Sequence, residues 1–337
     1  MRRRAVLLCA LMGLLALLSG CAGRDALDAS AFAPAESDRL VIFTSHKENV
    51  YKPIIEEFEQ RTGIWVEVKS SGSMTLLEQI AAGGSGCDLM FGGGADSLTA
   101  YSDCFAPYES VNAAAIAPEY DLGGGIWTPF SAPSIVLVYN TKLVRQNLPQ
   151  GWTDLLDPGW RGRIAFADPC ASGSSYTALC ALLQASGGDS GETLRAFARN
   201  LRCKTLPDSG DVIAAVADGS CYIGVTLEEN ARNAIAEGMD VALICPAEGA
   251  CAVPDGAAVV KGCAHEENAR RFIDFLLLPE TQRHLSGEIS RRGVRADAAA
   301  DTLLPEVKTL PYDLEWAGAQ RESILRAWRE LCGEDAS

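Results

Sequence analysis

Apolar residues follow two alternating rhythms along this chain. Leu40-Val41-Ile42-Phe43 is a continuous apolar run of strand length, as in a strand buried on both faces of an α/β sheet. Tyr51, Ile54, Ile55 and Phe58 then recur at helical spacing, and Gly63 stops the helix. Ile64 to Val68 predicts a second strand, Met74 to Ala82 a second helix and Asp88 to Phe91 a third strand. A second set opens with Ile135 to Tyr139. It continues through a strand over 163–167, a helix over 174–185 and a strand over 221–225. Val241 to Ile244 and Ala257 to Val260 flank a Pro- and Gly-rich connection, and helices follow over 266–278 and 314–331. The last of these places Ile324, Leu325, Trp328 and Leu331 at helical spacing. Such alternation predicts a mostly parallel, doubly wound sheet. The expected organisation is two α/β lobes, 39–132 with 250–295 and 133–249 with 296–332, with a short tail at 333–337. Chain crossings near 131–135 and 245–256 would form a two-segment hinge.

Before this pattern begins, Arg2, Arg3 and Arg4 precede an apolar stretch from Ala5 to Leu18, too short to span a bilayer comfortably. Leu18-Ser19-Gly20-Cys21 then supplies small residues before a cysteine. This reads as a signal peptide over 1–20 ending in a lipobox. Cys21 would take the lipid, and residues 21–38, rich in Ala, Ser, Asp and Pro, would form a flexible stalk. The expected location is a cell membrane, lipid-anchored and facing a periplasm or the medium.

The formal charge of −15 includes the three leader arginines, so the remaining 317 residues carry −18. That balance excludes nucleic acid as a partner and leaves an acyl anchor, rather than a basic face, to hold the protein at a membrane. Ten cysteines lie beyond Cys21, an even number that permits disulfides outside the cell, with Cys245 and Cys251 the best-spaced pair. Several could equally be small buried apolar residues. A zinc site lacks support: no C-x-x-C occurs, and Ala264-His265-Glu266-Glu267-Asn268-Ala269 lacks the second histidine of H-E-x-x-H. No cofactor is expected.

Ligands of such sheets sit beyond the carboxyl ends of strands. Five loops stand there: Thr44-Ser45-His46, Ser70 to Ser73, Gly92-Gly93-Gly94, Ser172-Gly173-Ser174-Ser175, and Thr226-Leu227-Glu228-Glu229. Four offer hydroxyls or bare backbone N–H groups ahead of a helix, a combination that suits an oxyanion. Any one of them alone is explained by capping and turn formation, and their recurrence is the signal. Candidate contacts are Ser45, His46, Ser73, Gly93, Ser172, Gly173, Ser174, Ser175, Thr226 and Glu228. There is no G-x-S-x-G elbow, no P-loop and no nucleophile beside a base, and Glu228 and Glu229 would diverge on a helix. A membrane-tethered hydrolase is therefore the weaker alternative.

LVIFTSHKE at 40–48, GWTDLLDPGWRGRIAFADPCASGSSY at 151–176, VADGSCYIGVTLEEN at 216–230 and VPDGAAVVKG at 253–262 together resemble solute-binding proteins of ATP-driven (ABC) importers. The branch they resemble is the ferric, thiamine and phosphonate one, with type 2 periplasmic-binding-protein architecture. The resemblance covers nearly all of 40–332, and A-D-P-x-A-S-G-S-x-Y at 167–176 is its most specific part. It implies two lobes that close on a small anionic solute and a monomer that docks on a permease, without catalysis. Ferric binders carry an adjacent tyrosine pair where Glu228-Glu229 stands here, and Tyr222 lies within the strand. Carboxylates also bind hard cations, so ferric iron stays the alternative. In organophosphate or phosphonate binders of this kind, Ser172, Ser174 and Ser175 would hold phosphate with Ser45 and Ser73 opposite. Thr226 and Glu228 would meet a sugar hydroxyl or an ammonium.

Overall fold

The computed structural model describes residues 34–332 apart from 85 and 298–306. The leader, Cys21, the stalk to residue 33 and the tail at 333–337 lie outside the described residues. Two units are present, 1–38 and 39–337; among the described residues of the first, a single turn forms at Glu36–Asp38.

In the second unit the chain builds β1 (Arg39–Thr44), α1 (Glu48–Thr62), β2 (Trp65–Ser70), α2 (Ser73–Ala81), β3 (Leu89–Gly94), α3 (Ala95–Ala100), β4 (Phe105–Ala106) and β5 (Thr128–Ser131). It then crosses through Ala132-Pro133 into β6 (Ser134–Asn140), β7 (Ile164–Ala165), α4 (Gly173–Ser186), α5 (Ser190–Leu201), α6 (Asp211–Ala217), β8 (Ile223–Leu227), α7 (Glu228–Ala236), β9 (Val241–Ile244) and β10 (Cys251–Ala252). Val253-Pro254 leads back to β11 (Asp255–Val260), α8 (Glu266–Leu276) and α9 (Pro279–Glu288), and α10 (Leu314–Cys332) ends the described chain.

Two lobes result, each on its own sheet. The first sheet has the order β2-β1-β3-β11-β4, with β5 also on β11; the second has β10-β6-β8-β7, with β9 on β6. The sheets are mixed, not mostly parallel. Pairing is parallel only for β1 with β2, β1 with β3 and β7 with β8. The reason is the crossing itself: a strand that returns from the other lobe enters in the opposite sense, so β11 runs antiparallel to β3 and β6 to β8. The two crossing segments lie side by side, since Asp255 pairs with Ser131 and Cys251 with Ile135. The hinge is therefore a two-stranded ribbon continuous with both sheets.

Core packing follows the sequence pattern. Helix α1 buries Val50, Ile54, Ile55 and Phe58, and Gly63 closes it at φ +72°, a left-handed conformation that glycine adopts without steric cost. Phe58 meets Phe272 edge-on at 4.9 Å, and Phe91 meets Phe130 at the same separation. Helix α10 touches both lobes. Trp328 packs against Phe166 and Phe197 of the second lobe, while Arg321 reaches Asp96 of α3 at 3.3 Å. No helix among the described residues is long and apolar enough to cross a membrane. Cys245 and Cys251, the best-spaced cysteine pair, are separate thiols; Cys251 is wholly buried within β10, whereas Cys245 is exposed after β9.

Trp328→Ala removes a large side chain that is 2% exposed, leaving a void among Phe166, Phe197 and α10. Urea unfolding should show a loss of about 3–5 kcal/mol with little change in the denaturant slope. A loss below about 1 kcal/mol would mean that α10 is not an integral part of the core.

Candidate functional site

A cavity of about 280 Å³ opens between the carboxyl ends of strands from both lobes. The first lobe contributes the loop after β1 with Ser45, His46 and Lys47, the first residue of α2, Ser73, and Gly93 near the end of β3. Facing them are Ser172, Gly173 and Ser174 at the start of α4, and Asp208 with Ser209 ahead of α6. The two faces abut. A β-carbon on Gly173 would lie 2.8 Å from Ser73 Oγ of the opposite lobe, and within the first lobe one on Gly92 would lie 2.5 Å from Ser45 Oγ. Neither glycine tolerates a side chain unless the loop opposite moves.

The opening turn of α4 presents hydroxyls and backbone N–H groups to the cavity. Ser172 caps it: its Oγ accepts from the Ser175 amide at 3.3 Å, and its carbonyl accepts from the Tyr176 amide. Gly173 and Ser174 come first in the helix, where N–H groups have no intrahelical acceptor and the partial positive charge of a fourteen-residue helix is greatest. Ser174 Oγ lies 3.1 Å from Ser172 Oγ.

Beneath these donors lies a buried charge cluster. Arg291, 4% exposed, forms a bidentate pair with Glu229: Nη2 donates to Oε1 at 2.9 Å, and Nε donates to Oε2. Its Nη1 donates to Asp255 Oδ2 at 2.9 Å and to His46 Nδ1 at 3.1 Å. Burial opposes the charge on Arg291, but Glu229 and Asp255 outweigh it and hold the guanidinium above its usual range. Burial, and then repulsion from Arg291, hold the His46 imidazole well below its ordinary value. The ring is therefore neutral, its Nδ1 accepts from Arg291, and Nε2 carries a proton with no partner among the described residues. Burial raises Asp255 to about 6, against the pull of Arg291 and of Ser131. Among the described residues no group of three or more His, Cys, Asp or Glu side chains is arranged to hold a metal ion. His46, Asp255 and Glu229 all turn towards the guanidinium instead.

Seven of the ten candidate residues line the cavity: Ser45, His46, Ser73, Gly93, Ser172, Gly173 and Ser174. The other three are drawn elsewhere. Ser175 faces back into its own turn, its Oγ donating to Ser172 Oγ at 3.2 Å. Strand β8 runs on to Leu227, so Thr226 belongs to the sheet; it is buried, donates to the Ser209 carbonyl and accepts from Asn230. Glu228 is held by two arginines, accepting from Arg292 Nε at 3.0 Å and from Arg232 Nε at 2.8 Å. One step along α7 turns the side chain by about 100°, so Glu229 lines the cavity and Glu228 does not. Arg291, Asp255, Lys47 and Asp208 also reach the wall.

Residues 83–316 match the family profile of the bacterial extracellular solute-binding proteins. The chain is 28% identical over 200 residues to the Fe(3+)-binding periplasmic protein of Serratia marcescens, a match covering 58% of either chain, so it spans little more than half of that relative. It is 23% identical over 263 residues to a Salmonella typhi periplasmic protein named for 2-aminoethylphosphonate binding, across 73% of this chain and 74% of that one. In fold it matches the periplasmic binding protein AfuA of Actinobacillus pleuropneumoniae, solved with fructose-6-phosphate bound, at a TM-score of 0.79 and 22% identity over 88% of this chain and 99% of that one.

Arg291→Met leaves Glu229 and Asp255 buried with no counter-charge, and urea unfolding at neutral pH should show a loss of about 3–5 kcal/mol. Adding Glu229→Gln should recover part of that loss, because the pair is coupled. Strictly additive losses would mean that the two residues do not form one unit.

Proposed function

From the chain's membership of the bacterial extracellular solute-binding protein family, we propose that it captures a small phosphorylated organic anion in the cleft between its lobes and delivers it to an ABC permease. The observation that carries this reading is the place of Arg291. A bare ferric ion would need the side chains of His46, Glu229 and Asp255, and Arg291 already hydrogen-bonds all three. A permanent cation there repels a metal ion, and displacing it would strand a charge inside the protein.

What remains open to a ligand favours an oxyanion. The Gly173 and Ser174 amides and hydroxyls from Ser172, Ser174, Ser45 and Ser73 converge from both lobes, and neutral donors at a helix N-terminus hold phosphate without burying another lysine or arginine. The neutral His46 adds an N–H donor. Carboxylates of Glu229 and Asp208 on the same wall would accept from a hydroxyl or ammonium at the organic end, the role first given to Glu228. A carboxylate there also disfavours bare inorganic phosphate. Relatives named for aminoethylphosphonate and a fold neighbour holding fructose-6-phosphate agree with this chemistry. The ferric relative agrees with the fold, and the arginine separates this chain from that ligand.

On this reading the protein binds without catalysis, closes about its two-stranded hinge, and is held at the membrane through a lipidated Cys21 as a monomer. Calorimetric titration with fructose-6-phosphate, aminoethylphosphonate, inorganic phosphate and ferric citrate tests it. One of the two organic ligands should bind, with inorganic phosphate and iron much weaker. Ser174→Ala should weaken that binding by about 1–3 kcal/mol. Tight ferric binding that Ser174→Ala leaves unchanged would overturn the proposal.

A further inference from the structure

Away from the cleft, the last described turn of α10 brings two distant cysteines together. Arg202 and Cys203, just past the end of α5, both take left-handed conformations at φ +53° and +50°, which few side chains adopt. The double left-handed turn aims Cys203 at α10. Its Sγ donates to the carbonyl of Leu331 at 3.0 Å, which sets it beside the next residue, Cys332, and the two thiols influence each other electrostatically. Both residues are only half-buried, so a small or protein oxidant can reach them. The nearby pair Cys180 and Cys251, by contrast, is wholly enclosed. Cys170 is the third thiol near Cys332, but it lies close to Arg329 and Asp168.

We propose that Cys203 and Cys332 form a disulfide when the protein meets an oxidising compartment. In the step, one cysteine thiolate attacks a sulfur of a disulfide oxidant and releases one thiol of that oxidant. The second cysteine then attacks the mixed disulfide and releases the other. The two cysteines lose two electrons to the oxidant, and their two protons end on its two thiols. The two sulfurs must come together to a bond of about 2 Å. Cys332 ends its helix and Cys203 sits in a turn, so both can adjust.

The bond would close a loop of more than a hundred residues and fix the end of α10 to the second lobe. The Arg321 contact with Asp96 of the first lobe would then be the end of that helix free to part. The proposal is independent of which ligand the cleft takes.

The test uses the full chain in its folded state, equilibrated with oxidised glutathione and then alkylated, digested and read by mass spectrometry. The expected result is a linked peptide pair containing Cys203 and Cys332, reversed by dithiothreitol, with Cys180 and Cys251 labelled only after unfolding. Oxidation should raise the Tm by about 5 °C or more, and Cys332→Ser should lose both the linked peptide and the shift. If Cys203 and Cys332 both stay alkylated in the folded wild-type protein, or if Cys170 takes the place of either, the proposal is wrong.

Discussion

Burying a guanidinium to 4% exposure costs stability unless acceptors surround it, and Arg291 has Glu229, Asp255, Ser131 and His46. These partners come from separate parts of the chain: the loop after β1, the strand end before the crossing, the first turn of α7 and the start of β11. One side chain thus ties the hinge ribbon to both lobes. It also sets the chemistry of the cleft, because it uses the side chains a metal ion would need and adds to the burial that keeps His46 neutral.

The rest of the site follows from strand ends. β1 and β3 end at the cleft from one side and β7 from the other, so the loops after them carry hydroxyls and amides into one space. The ribbon of β5 with β11 and β6 with β10 joins the two sheets, so those two sets of loops belong to different lobes linked by two paired crossings. The absence of a side chain at Gly173 lets the walls meet closely enough for a ligand to touch both.

Much of this was legible in the sequence, and the misses have physical causes. Continuous apolar runs located β1, β3 and β6, and the helical spacing of Ile324, Leu325 and Trp328 located α10, because burial writes these patterns directly. The sense of strand pairing was not legible: whether β11 runs with or against β3 depends on its arrival from the other lobe, which no local pattern records. The strand expected over 221–225 lies two residues later, at Ile223–Leu227, which moved Thr226 from a loop into the sheet. Serine and glycine turns before helices pointed to the residues that line the cavity from both lobes. Arg291 stayed hidden, because a buried arginine is recognised only by the acceptors that the fold brings to it.

The most direct measurement is a crystal structure of the protein grown with fructose-6-phosphate and, in parallel, with ferric citrate, using anomalous scattering to find iron. The account predicts a phosphate group at the start of α4, between Ser172 to Ser174 and Ser45 with Ser73, with Arg291 still on Glu229 and Asp255. Iron bound by Glu229 and Asp255, with Arg291 swung out of the cluster, would contradict it.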